Sequence, residues 1–175
     1  GSHKEEYPVP ELDKSTTGYA GRWLAPKKFE DLIDWTRQLH GYLSRCLHES
    51  ASLNKDERAS ALLDYLASHE TLLEKAVGEF EKQADQKAMK TRLYDYLNHK
   101  PIKAGQASDT HYADMTFRDI AREIFQFHDQ VMDLYNSLIG KAEIPEAKSL
   151  LEDLLALEEH EAMRLASQIS RMEDI

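Results

Sequence analysis

His40, Glu70, His128 and Glu161, with His69 beside the second of them, combine imidazole and carboxylate chemistry with helical spacing. Imidazole nitrogens and carboxylate oxygens together hold first-row transition metals, and an imidazole beside a carboxylate also forms a metal-free ion pair. The two leading histidines sit in one recurring frame. Residues 29 to 40 read FEDLIDWTRQLH and residues 117 to 128 read FRDIAREIFQFH, so F-x-D-[LI]-x5-Q-[LF]-H returns after 88 residues. The string L-x-x-H-E follows in each half, at residues 66–70 and 157–161. From His40 to Glu70 is 30 residues, and from His128 to Glu161 is 33. The chain reads as a duplicated unit in which each half supplies a histidine-bearing helix and then a helix carrying His-Glu.

Placed on seven-residue rows, these polar residues fall among apolar ones. His40 lies between Ile33 and Leu47, and His128 between Ala121 and Tyr135. Glu70 lies between Leu63 and Val77, where a leucine would be expected. Glu161 follows Leu154 in a row that ends at Gln168, and is read as inward. The row Asp153, His160, Ser167 is polar throughout and places His160 nearer solvent. Two histidines and two glutamates from four helices are thereby expected to converge at mid-height. Buried carboxylates are costly unless protonated, hydrogen-bonded, paired with a cation or bound to metal. Arg164, three residues after Glu161, is the counter-charge the sequence offers for a metal-free arrangement.

The elements that must position this layer are four helices. The 3-and-4 spacing of apolar residues predicts helices over about 26–52, 55–83, 116–140 and 145–174. Asn54 with Glu57, and Thr116 with Asp119, are cap signals; Pro26 and Pro145 suit first turns, and Gly140 a helix end. A two- or three-residue link after the first helix forces an antiparallel pair. Residues 84–115 are far longer than a turn and read as a crossover along the bundle, with a short amphipathic piece around Leu93 and Leu97. Residues 1–25 are set apart: Gly1, Ser2 and His3 resemble a tag scar, and Pro8, Pro10, Gly18 and Gly21 predict an extended arm docked by Tyr7, Tyr19 and Trp23. Residues 26–175 then form one bundle domain.

Composition narrows the function classes. A chain of 175 residues suits one domain, and 32 acidic against 22 basic residues give a net charge of -10, which repels nucleic acid. No apolar run reaches membrane-span length, so no membrane partner is expected. The lone Cys46 forms no internal disulfide and sits among apolar residues, which fits a cytoplasmic protein. His48, His99 and His111 fall at helix ends or in the crossover and read as solvated. The basic stretch from Lys87 to Lys103 reads as a solvated crossover face. Trp35 and Tyr42, off the main seam, are expected to receive the arm or a second subunit in a homodimer. No phosphate loop or nucleophile elbow is present.

Across residues 29 to 174 the paired hairpins, long crossover and inward acid and imidazole residues resemble the ferritin-like superfamily, in its rubrerythrin-like form. The resemblance implies an all-α, ferritin-like four-helix bundle: two antiparallel helical hairpins, a long crossover and an N-terminal arm. Ferritin-like di-iron proteins carry a Glu on each of two helices and Glu-x-x-His on the other two. Glu70 and Glu161 match the motif glutamates, but Leu73 and Arg164 stand at the motif histidines, and His40 and His128 at the lone glutamates. Taking His69 and His160 as the motif histidines puts Leu66 and Leu157 at the glutamates instead. Two functional expectations follow and stay open. In one, His40, Glu70, His128 and Glu161, with His69 in reserve, bind iron, zinc or manganese, with oxygen or peroxide chemistry at a free position. In the other there is no cofactor: Arg164 compensates the carboxylates, and the bundle is a binding or interaction module.

Overall fold

The computed structural model describes residues 28–92, 110–142 and 144–174. The expected N-terminal arm, the tag-like residues, Pro26, His99 and the amphipathic piece around Leu93 lie outside them. Among the described residues the chain is all-helical apart from one isolated bridge, Lys28 to Arg92. Its elements are α1 (Phe29–Leu53), α2 (Glu57–Gln83), the four-residue α3 (Gln86–Met89), α4 (Phe117–Ile139) and α5 (Pro145–Glu173). The four long helices match the sequence expectation to within three residues at each end.

Local chemistry sets the boundaries. The Lys28 backbone N–H donates to Asp31 Oδ2 (3.0 Å), closing the first turn of α1. α2 is capped by Asp56, whose Oδ1 accepts from the backbone of Arg58 (2.9 Å) and Ala59 (3.4 Å). Asn54, expected as that cap, instead ends α1 and ties the hairpin tip to the far side of the crossover. Its amide donates to the carbonyls of Tyr112 (3.1 Å) and Met115 (3.0 Å), and its oxygen accepts from the Asp56 N–H (3.0 Å). Asp56, two residues on, stands at the N-cap of α2, while Asn54 lies at the end of α1 with its amide turned to tertiary bonds. Thr116 caps α4 as expected, accepting from Asp119 N–H (3.1 Å), and Pro145 opens α5.

Residues 54–56 fold α1 back on α2, and α4 packs along α5, so two helix pairs lie against each other with α2 touching both α4 and α5. Apolar residues dominate their shared core: Leu39 and Leu43, Leu63 and Leu66, Ile124 and Val131, Leu154 and Leu165 have no solvent exposure. Each such side chain contributes roughly 1.5–3 kcal/mol relative to an exposed one, enough together to hold a polar layer in fixed geometry. Trp35 and Tyr42, expected off the seam, belong to this core. α1 is also covered outside its main stripe: α3 lies against it, Phe29 N–H donates to Thr91 O (3.0 Å), and Tyr112 N–H donates to Ser50 Oγ (3.2 Å). Cys46, the one cysteine of the sequence, is buried and forms no internal disulfide. Among the described residues no helix is long and apolar enough to cross a membrane.

Candidate metal centre

One side chain from each long helix meets in the dry centre of the bundle: His40 from α1, Glu70 from α2, His128 from α4 and Glu158 from α5, all buried. His40 Nδ1 donates to Glu70 Oε1 (2.6 Å) and His40 Nε2 donates to Glu158 Oε2 (2.8 Å). His128 Nε2 donates to the second oxygen of Glu70, Oε2 (2.7 Å). Glu70 therefore bridges the two imidazoles, one oxygen to each. Carboxylate oxygens only accept, so both ring nitrogens of His40 carry protons and the ring is an imidazolium. Burial alone would lower its pKa, but the Glu158 and Glu70 charges outweigh burial and push it up to about 10. Burial would likewise raise the Glu70 carboxyl, yet His128 and His40 hold it well below the usual carboxylate range. The His40 ring meets Phe127 edge-on (5.9 Å between centroids) and His128 edge-on (6.1 Å).

His69 forms an outer shelf. Its ring stacks on His128 (5.9 Å, 30°) on one side and on Tyr65 (6.2 Å, 27°) on the other. It is buried, with 5% exposure, and burial lowers its pKa. Its Nδ1 faces Glu161 Oε1 at 3.9 Å, beyond hydrogen-bond reach.

The structure thus brings His40, Glu70 and His128 together, sets His69 against them and leaves Glu161 at the rim, its side chain 17% exposed. Glu158 occupies the place expected for Glu161. Sequence rows missed it because α5 was read on the row Leu154, Glu161, Gln168, whereas its buried face includes Leu151, Glu158 and Leu165. A signal was available: Glu158 lies 88 residues after Glu70, as His128 does after His40, and 30 after His128. Arg164 does not compensate the layer. Its side chain is 64% exposed and reaches only Glu161 Oε2 (3.7 Å), because the α5 face that turns Glu158 inward turns residue 164 outward. His160 is exposed, as expected, and so is His48. His111 pairs with Glu123 at the surface (2.7 Å).

No family model and no curated protein matches the chain. Among solved structures it is similar to one described as a ferritin-like diiron-carboxylate protein from Thermotoga maritima. The two superpose with a TM-score of 0.53 at 14% identity, over 82% of this chain and 95% of that one. The fold is ferritin-like. Sequence identity this low carries the architecture and not the site, so the donor set has to be judged on its own. His40, Glu70 and His128 each offer a donor atom within 4.8 Å of the others, a span that one metal ion can bridge. An imidazole with carboxylate suits Fe, Zn or Mn better than the all-oxygen ions, while His40, held as imidazolium, orients the two carboxylates. The layer's two carboxylates and two imidazoles fall short of the four Glu and two His of a bridged di-iron centre. The residues fit one transition-metal ion and do not fit a bridged pair.

Proposed function

We propose that this ferritin-like bundle binds one first-row transition-metal ion, of the Fe, Zn or Mn class, in the layer formed by His40, Glu70, His128 and Glu158. The observation that carries the reading is the convergence of two buried imidazoles and two buried carboxylates, one from each long helix, with His69 stacked beside them. Such an ion would supply Lewis acidity or, as iron or manganese, one-electron chemistry toward oxygen or peroxide. The protein's own contribution is to hold the donors rigidly, to keep water out and to orient each ring through its second nitrogen. The test is elemental analysis of tag-free protein after loading with Fe(II), Zn(II) or Mn(II) and desalting. Stoichiometric retained metal, absent from a Glu70→Gln/Glu158→Gln double variant, is the expected result.

A second reading rests on the three hydrogen bonds already present. In it the layer is a metal-free ion network that specifies how the hairpins dock, and the bundle is a binding or interaction module. Glu70 and Glu158 are then balanced by imidazolium and not by Arg164. Absence of retained metal under all loading conditions, with cooperative unfolding intact, would decide for it.

A further inference from the structure

The 88-residue offset maps His40 onto His128 and Glu70 onto Glu158, and it also maps hydrogen bonds onto hydrogen bonds. The bond from His40 Nε2 to Glu158 Oε2 (2.8 Å) becomes that from His128 Nε2 to Glu70 Oε2 (2.7 Å), and both exist. The bond from His40 Nδ1 to Glu70 Oε1 (2.6 Å) becomes one from His128 Nδ1 to Glu158 Oε1, and that one is missing. Among the described residues both of those atoms are buried with no hydrogen-bond partner. The four side chains form a ring closed on three sides and open on the fourth.

We propose that the open side is the seat of the layer's metal ion, with His128 Nδ1 and Glu158 Oε1 as its first protein donors. This rests on the reading of the layer as a metal site and says which atoms act.

Buried polar atoms are rarely left without partners, and two of them in one hydrogen-bonded group of side chains call for a guest that satisfies them. An ion on the open side leaves all three hydrogen bonds in place. The alternative seat, among the donor atoms of His40, Glu70 and His128, needs an ion to displace the N–H groups that already bind Glu70. The tautomer also agrees. Metal-bound histidines ordinarily donate their other ring N–H to a carboxylate, and His128 bonds Glu70 through Nε2, which leaves Nδ1 as the ring atom available to an ion. His40, bonded to both carboxylates, acts as a positioning residue that fixes their planes. The stacked His69 brings one more buried nitrogen without a partner, Nε2, next to the His128 ring.

The experiment is a competition titration of metal-free full-length protein with Co(II) and with Zn(II) alone, against a chromophoric chelator, for wild type, His128→Gln, Glu158→Gln and His40→Gln. The expected result is loss of stoichiometric binding in His128→Gln and Glu158→Gln. His40→Gln keeps its stoichiometry and weakens by about 10–100-fold, as removal of an orienting partner does. The reverse pattern, binding lost with His40→Gln and kept with Glu158→Gln, overturns the seat while sparing the metal reading. Wild type that binds neither ion overturns both. Histidine-selective nitrogen NMR of wild type gives the answer even if a variant fails to fold. On Zn(II) addition His128 Nδ1 should shift while both His40 nitrogens stay protonated; a metal shift at His40 Nδ1 refutes the assignment.

Discussion

Raising the pH of the metal-free protein from 6.5 toward 10 is expected to remove stability steadily, and His40 is the cause. Its pKa is about 10 in the fold against 6.5 for an ordinary histidine. Across that window the unfolded chain has released the proton while the folded chain keeps it. A group whose folded pKa is raised contributes fully below the unfolded value and loses its contribution as pH climbs to the folded one. The slope is about 1.4 kcal/mol per pH unit, and over roughly 3.5 units the total is of order 5 kcal/mol. That is a large share of the roughly 5–15 kcal/mol that keeps a domain folded. Because His40 has no solvent exposure, salt should screen little of it. The assay is urea unfolding with excess chelator at fixed ionic strength, from pH 6.5 to 9, for wild type and His40→Gln. Other groups titrate in this range, so the informative quantity is the difference in slope. Parallel dependences in the two proteins would refute the doubly hydrogen-bonded imidazolium.

On the acid side Glu70 has the opposite sign: its folded pKa is lowered, so its contribution is present above 4.5 and fades as pH falls below that value. Acid unfolding monitored by circular dichroism should therefore be steeper in wild type than in Glu70→Gln. Glu70→Ala leaves two imidazoles without their shared acceptor and should destabilise the metal-free bundle by roughly 3–5 kcal/mol in denaturant unfolding, the usual result of breaking a buried ion pair from one side. Arg164→Ala, by contrast, should change stability by no more than about 0.5 kcal/mol and leave metal retention unaltered, since the guanidinium stands in solvent away from the layer.

What was legible in the sequence follows from how each signal is encoded. Helix positions were readable because apolar spacing repeats over more than twenty residues in each long helix, and no single residue has to be judged correctly. His40, Glu70 and His128 were readable because each interrupts an apolar row on both sides. Glu161 and Glu158 were confused because the local string L-x-x-H-E drew attention to residues 157–161, while the helix's rotation is set by its whole buried face from Ala147 to Ile169. A three-residue change along α5 moves a side chain by about 60°, enough to pass from the layer to its rim. Arg164 was misjudged for the same rotational reason. Asn54 was misread because a cap residue can be identified only when its competitors are known, and here Asp56 competed. Hydrogen bonds such as Glu70 to two imidazoles join elements 30 and 58 residues apart, and no local pattern specifies which oxygen meets which nitrogen.

The charges of the layer bear directly on how many ions it can take. Glu70 and Glu158 supply two negative charges, and His40, retained as imidazolium, supplies one positive charge. With one divalent ion the sum is a single positive charge. Two divalent ions would leave three positive charges in a dry core, and even loss of the His40 proton would leave two. Uncompensated charge in such a setting costs several kcal/mol per unit. Bridged pairs avoid this cost by bringing four carboxylates, whereas the layer of this bundle holds two carboxylates and two imidazoles. On this argument the first ion should weaken the binding of a second by far more than statistics require. A titration that saturates cooperatively at two equivalents would contradict it.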